Sequence, residues 1–411
     1  MKQYFSLLCL LFVSGWTLAQ TQIPAQFNHV DRLVRGTLSM PTGTGPFPAV
    51  VIVPGSGAND RDGTALLAGG YAPCLYPQLV GQTLRPYRDL GNALVDAGFA
   101  VLRYDKLEFS YPTNLGVITF DKLWLPANSA LNWLKTRAEI DTNRLVLIGH
   151  SEGSSLIPWL ALQRTDVSAL ISLAGARTPF DSVLARQLVD FAQQCNGNLT
   201  QAQTEATQIL TYFNLVRQGP PPPTTPPLFG VPAAVWRTYT QVTDSVAHRY
   251  NVAAKPSLFV GLGADVNVPP SELSRFQSEV NITNQFWLLP GINHFLSTNS
   301  QAAFASVVAD TIVHWLRQQG LASVSTLQSV DGWRMYPNPA VEAVTLQAPT
   351  ALTQGMWWKL LDMQGRMVMQ GKWEAGETQF KIALNDLQPG LYHLHREGGN
   401  WKALRLLKIS R

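Results

Sequence analysis

Leu145-Val146-Leu147-Ile148-Gly149-His150-Ser151-Glu152-Gly153 runs directly into Ser154-Ser155-Leu156-Ile157-Pro158-Trp159-Leu160-Ala161. The apolar run Leu145 to Ile148 reads as a buried strand, and Leu156 to Ala161 offers a helix face. Between them stands the pattern G-x-S-x-G. Strand, tight turn and helix are the setting in which that pattern becomes a nucleophile elbow. Two glycines let the chain turn sharply and let strand and helix pack closely, so the Ser151 hydroxyl projects alone. A serine hydroxyl needs a general base in contact, and the base needs a carboxylate to orient it. The rest of the chain has to supply both.

Outward from this point, residues from about Phe27 to Gly320 alternate short apolar strands with amphipathic helical stretches. That alternation predicts an α/β domain with a mostly parallel sheet covered by helices. Strands are expected at Val34 to Met40, Ala49 to Val53, Ala100 to Tyr104, Ala169 to Ala174, Ser257 to Leu262 and Phe286 to Leu289, with helices at Leu90 to Ala97, Leu123 to Lys135 and Phe304 to Leu316. The rhythm breaks over about 177–255. There, helical Gln- and Ala-rich sequence leads into the stiff prolines 220–223 and 226–227. An insertion after the strand that follows the elbow sits above the strand ends, so this stretch is read as a helical lid.

The two ends of the chain differ from the middle. Lys2, the apolar run Phe5 to Val13 and the small-residue site Thr17-Leu18-Ala19 read as a signal peptide over 1–19. Residues 321–334 read as a polar linker. From Tyr336-Pro337-Asn338-Pro339 onward, short strands and turns at near-regular spacing predict a small all-β sandwich over 335–411. Segment 20–334 carries 21 basic and 21 acidic residues, so the overall charge of +4 builds no basic patch there, and nucleic acid is not an expected partner. Cys74 and Cys195 remain after removal of the leader, and the sequence leaves open whether they pair.

Seven histidines make the base a matter of elimination. His29 is expected before the first strand, and His393 and His395 fall in the terminal module. His150 neighbours the serine within the elbow and should point away from it, His314 sits on a helix, and His248 belongs to the end of the lid. His294 remains, in the loop Pro290-Gly291-Ile292-Asn293-His294 after a strand, where it can reach the carboxyl edge of the sheet. Asp265, in the loop after strand Leu258 to Leu262, is the matching acid, and Asp244 is its competitor from a helical stretch. For the oxyanion hole the backbone N–H groups of Glu152 and Ser56 are preferred, with Gly57 next; Ser56 lies in Pro54-Gly55-Ser56-Gly57 after strand Ala49 to Val53. That loop lacks the length and the lysine of a phosphate-binding loop, and no Cys/His/Asp group has zinc spacing. Neither a cofactor nor a metal is expected.

Residues of about 30 to 320 resemble bacterial α/β-hydrolases of the serine esterase and serine aminopeptidase-like branch. The resembling pieces are Arg35-Gly36-Thr37-Leu38 with Pro41, Pro46 to Val53, Gly55-Ser56-Gly57 with Asp60-Arg61-Asp62-Gly63, Leu102-Arg103-Tyr104-Asp105-Lys106, Gly149 to Gly153, Asp265 with Val268-Pro269, and Asn293-His294. The resemblance implies Ser151 as nucleophile, Asp265 as acid and His294 as base. Two departures bear on the acyl pocket: Pro54 stands where the family usually has His, and Leu107-Glu108-Phe109-Ser110 replaces the usual Arg-Gly-x-Gly-x-Ser. Residues 335 to 411 resemble the C-terminal sorting domain of type IX secretion cargo in the Bacteroidetes, through Tyr336-Pro337-Asn338-Pro339, Leu361 to Arg366, Leu387 to Tyr392 and Lys408-Ile409. That resemblance implies export through the outer membrane by the type IX machinery, with release or attachment at the cell surface. A carbohydrate-binding module is the alternative, suggested by Trp357, Trp358 and Trp373.

Three functions follow as expectations. The first is a secreted serine hydrolase acting on a small-molecule or polymer-linked carboxylic ester, including small or aromatic acyl groups. The second keeps fold and mechanism but takes peptide N-termini, or another acyl bond such as a thioester or amide; a peptide N-terminus needs a carboxylate for the substrate ammonium: Glu152, Asp60 or Asp62. The third is a catalytically silent binding protein on the same scaffold.

Overall fold

The computed structural model describes residues 20–29, 31–113, 119–322, 328–330, 333–336, 338, 340–362, 365–388, 390–396 and 403–408. The expected signal peptide lies outside the described residues. An eight-stranded sheet forms from β1 (Thr21–His29), β2 (Arg32–Met40), β3 (Phe47–Val53), β4 (Ala100–Tyr104), β5 (Ile140–His150), β6 (Val167–Leu173), β7 (Ser257–Leu262) and β8 (Asn284–Leu289). Their spatial order is β1-β2-β4-β3-β5-β6-β7-β8. The β1–β2 and β2–β4 pairs are antiparallel, and every pair from β4 onward is parallel. The chain thus adopts the α/β-hydrolase architecture expected from its sequence.

Central strands are apolar at nearly every position because both faces of the sheet are covered. In β5, Val146 and Ile148 join one core with Leu90 and Leu94 of α1 (Pro86–Asp96). Leu145 and Leu147 face the other core, with Leu131 and Leu134 of α2 (Asp121–Leu134) and Ile157 and Leu160 of α3 (Gly153–Leu162). The period of two along the strand therefore decides which helix layer each side chain meets.

The segment expected to be a lid holds α4 (Phe180–Gln194), α5 (Leu199–Gln218), α6 (Ala233–Thr243) and α7 (Val246–Ala253). Ile209, Phe213, Val216, Trp236, Tyr239 and Val242 pack with Leu156 of α3, so this insertion rests on the elbow helix. Inside it, Arg217 pairs with both Asp181 and Asp244. Asp244, the competitor for the triad acid, is thereby held within the insertion. Cys74 and Cys195 form a disulfide that spans 121 residues and ties the excursion before α1 to the end of α4. Helices α8 (Ser271–Glu279) and α9 (Val307–Gln318) complete the layers.

Several sequence expectations change. His29 ends β1 instead of preceding the first strand, because β1 is a polar-alternating edge strand that lacks a long apolar run. The helix expected from Phe304 begins at Val307, and Gln301–Phe304 pairs as a short strand with Ser297–Thr298. The expected linker 321–334 is strand over Gln328–Val330 (β9) and at the start of Trp333–Tyr336 (β10). These two pair with each other; β10 pairs on its other side with β11 (Ala343–Gln347), which pairs with β14 (Gln379–Ala383). The second sheet holds β12 (Met356–Asp362), β13 (Met367–Trp373), β15 (Gly390–Arg396) and β16 (Leu404–Lys408). Both sheets are antiparallel, which gives the expected β module. Trp357 is half exposed, but Trp358 and Trp373 are buried in the module's core, with Trp373 stacked on Phe380 at 4.6 Å. Adjacent strand residues face opposite sides, so Trp357 and Trp358 cannot both meet solvent on one face.

Candidate active site

Parallel strands deliver their following loops to one edge of the sheet, the edge where α/β folds bind ligands. Loops after β3, β4, β5, β7 and β8 carry Ser56, Lys106, Ser151, Asp265 and His294 in that order. Ser151 has φ of 53°, a left-handed conformation costly for a residue with a Cβ. The turn is held by the Ser151 N–H donating to Leu173 O at 2.9 Å and by Ser154 Oγ donating to Ser151 O at 2.7 Å. Glycine is required on either side. A Cβ on Gly149 would overlap the Gly153 carbonyl, and one on Gly153 would overlap the Val53 carbonyl oxygen.

His294 Nδ1 donates to Asp265 Oδ2 at 2.7 Å, with the Asp265 side chain fully buried. Oδ1 of the same carboxylate accepts the N–H groups of Asn267 and Val268, each at 2.8 Å. An acceptor-only carboxylate fixes the imidazole proton on Nδ1 and leaves Nε2 with a free lone pair. Asn293 holds the other end of the loop through Phe295 N–H at 3.0 Å and Thr298 O at 3.1 Å. Ser151 Oγ makes no hydrogen bond among the described residues in this conformation. The elbow and the histidine loop meet through His150, whose ring lies 4.7 Å from that of His294.

His150 is the residue whose part sequence reasoning missed. Its Nε2 faces the His294 carbonyl oxygen at 3.1 Å, and its Nδ1 faces Tyr87 Oη at 3.0 Å. A carbonyl only accepts, so the proton is on Nε2. Nδ1 then accepts from the Tyr87 hydroxyl, whose oxygen accepts the Gly55 N–H at 2.9 Å. Burial, with His294 next to it, holds the His150 imidazole well below the usual histidine range. Burial also pushes the Tyr87 phenol well up, so that it stays a donor. With both nitrogens engaged, His150 is not free to serve as base.

The Gly55 N–H is therefore taken, while the N–H groups of Ser56 and Glu152 donate to nothing among the described residues. They are the two donors expected for an oxyanion hole, and both flank the elbow. A Cβ on Gly55 would stand 3.1 Å from Ser151 Cβ, which measures how closely the two turns approach. Around them runs a set of buried or half-buried ion pairs. Arg61 grips Asp105 through both carboxylate oxygens, at 3.0 and 2.5 Å, and Arg103 pairs with Asp62. Lys106 Nζ lies 3.3 Å from Glu152 Oε2, and the Tyr239 hydroxyl donates to Glu152 Oε1 at 3.0 Å. The charged residues that punctuate 60–62 and 103–106 thus fasten the loop after β3 to the loop after β4. Their clustering after apolar strands was a usable signal; Tyr87, within a helix, offered none.

Residues 334–409 match the family model of the secretion system C-terminal sorting domain. The chain is also 32% identical over 169 residues to Esterase EstD of Thermotoga maritima, an alignment covering 40% of this chain and 36% of that protein. The chain thus spans about a third of the length of the curated relative it matches. Among solved structures it is similar to an esterase domain from a Rhodothermus marinus protein, at 17% identity and a TM-score of 0.46, covering 72% of this chain and 98% of that one. It is similar as well to Est1E from Butyrivibrio proteoclasticus, at 15% identity and a TM-score of 0.47 over the same shares.

Proposed function

We propose that this protein is an exported serine hydrolase that cleaves carboxylic esters through an acyl-enzyme on Ser151. The observation that carries the reading is the buried Asp265–His294 bond at the ends of β7 and β8, beside a strained serine turn that ends β5. Ser151 Oγ attacks the acyl carbon while His294 Nε2 takes its proton. Asp265 steadies the imidazolium through Nδ1. The oxyanion that develops is met by the N–H groups of Ser56 and Glu152, both preorganised by the turns that hold them. Collapse expels the alcohol, which receives the proton from His294. Water, deprotonated by the same nitrogen, then attacks the acyl-enzyme and releases the acid.

Esters are preferred over peptide N-termini because the carboxylates that an ammonium would need are engaged. Glu152 is bound by Lys106 and Tyr239, Asp62 by Arg103, and Asp60 accepts from the Asp62 and Thr64 N–H groups and the Thr64 hydroxyl. Partial identity to a named esterase supports the same choice. Turnover of p-nitrophenyl esters against aminoacyl-p-nitroanilides tests it: the esters should turn over and the anilides should not, and the reverse preference would sink the reading.

We further propose that residues 20–320 form the catalytic unit and 335–411 a module that directs the protein through a type IX route to the cell surface or medium. The matched sorting-domain model supports this. A chain ending at residue 322 should stay inside the cell envelope while the full chain leaves it; equal release of both would contradict the assignment.

A further inference from the structure

Lys106 is a buried cation next to the proposed site, and no step of the reaction uses it. Its Nζ donates to Gly55 O at 3.0 Å and lies 3.3 Å from Glu152 Oε2. Asn59 Nδ2 donates to the same Gly55 oxygen at 3.0 Å. Both the lysine and glutamate side chains are over nine-tenths buried. The Gly55 carbonyl belongs to the same planar amide as the Ser56 N–H, and in a trans peptide the two point in opposite directions. Whatever fixes the oxygen therefore aims the hydrogen.

We propose that Lys106 is a positioning residue for the oxyanion hole, acting through the Gly55–Ser56 amide and held in place by Glu152 and Tyr239. This rests on the serine-hydrolase reading. Three facts point the same way. The Gly55 N–H is occupied by Tyr87, so the Ser56 N–H is the first donor along this loop that is left to give. A charged donor on the Gly55 oxygen makes a stronger bond than a neutral one and polarises the amide, strengthening its N–H as a donor. Glu152 cancels the lysine's charge at close range, so its effect on an oxyanion comes through that directed bond and not through a bare positive field.

Glu152 contributes both to the hole and to its support. Its backbone N–H is the second proposed donor, and its carboxylate bridges Lys106 to Tyr239 on α6 of the insertion. Both donors of the hole are in this way linked through one buried carboxylate to the element resting on the elbow helix.

The test uses the full chain with Lys106→Met and the paired variant Lys106→Met/Glu152→Gln, which removes the charge from both partners. Wild type is first labelled with a fluorophosphonate, and absence of label on Ser151 refutes the underlying reading, not this one. Given labelling, kcat for p-nitrophenyl acetate should fall roughly ten- to hundredfold in Lys106→Met, part of what losing a whole oxyanion donor costs. KM should stay within about twofold. The inhibition constant of phenylboronic acid, whose tetrahedral serine adduct occupies the hole, should rise by about the same factor as kcat falls. If Lys106 only balances the charge of Glu152, the paired variant recovers wild-type kcat, and that result overturns the inference. So does unchanged kcat and boronate affinity in Lys106→Met. Should the single variant fail to fold, the paired one carries the measurement alone, because it leaves no unpaired buried charge.

Discussion

Acidification from pH 7 to pH 5 bears directly on the buried His150 bridge. In the fold this imidazole is neutral and held well below the histidine value of 6.5, chiefly by burial. In the unfolded chain it takes up a proton as pH falls through about 6.5. The unfolded state then binds more protons than the fold, so stability must rise with pH across that window and be lost on acidification. With the folded group still neutral at pH 5, the loss from His150 between pH 7 and pH 5 is about 2 kcal/mol. His29 and His314 are also shifted down by burial and act in the same direction. Urea unfolding of wild type and His150→Gln at both pH values isolates the His150 share: the variant should have a slope shallower by about 1 kcal/mol per pH unit below pH 6. A His150 ring that titrates near 6.5 or above by NMR, or equal slopes in the two proteins, would refute this reasoning.

Asp265→Asn keeps the two backbone N–H bonds but presents an amide to His294 Nδ1, favouring the wrong tautomer; kcat on a p-nitrophenyl ester should drop by about 10⁴-fold with the melting temperature little changed. Gly153→Ala forces a methyl against the Val53 and Pro54 carbonyl oxygens, so the elbow has to separate from β3, and circular dichroism melts should show a loss of at least about 2 kcal/mol along with activity. Reduction of Cys74–Cys195 removes a link across 121 residues, for which the chain-entropy relation gives about 5 kcal/mol, so scanning calorimetry with reductant should show a clearly lower transition.

The reading of the sequence reached the strands that carry the site because each is an unbroken apolar run, as at Ala100–Tyr104 and Ser257–Leu262. It missed β1 because that polar edge strand lacks the apolar run the others have, and the short ribbons because they span only two to four residues, too short for a period to show. Ser151, Asp265 and His294 could be singled out as candidates because each lies in the stretch that follows an apolar strand. Their support was not legible. Lys106 and Glu152 are 46 residues apart, Tyr239 and Glu152 are 87 apart, and Tyr87 and His150 are 63 apart, so only folding brings them together. The burial of Trp358 and Trp373 was not legible either, because a Trp on a short strand does not reveal which face of the sheet it joins.

The account stands or falls on Ser151 as nucleophile. Wild type and Ser151→Ala should be compared in one experiment: intact mass after a fluorophosphonate probe, peptide mapping of the adduct, and turnover of p-nitrophenyl acetate before and after labelling. The account predicts a single adduct on the peptide containing Ser151 with loss of turnover, and a variant that neither labels nor turns over while melting like wild type. Turnover at the wild-type rate in Ser151→Ala, or an adduct on another residue that abolishes turnover, would contradict it.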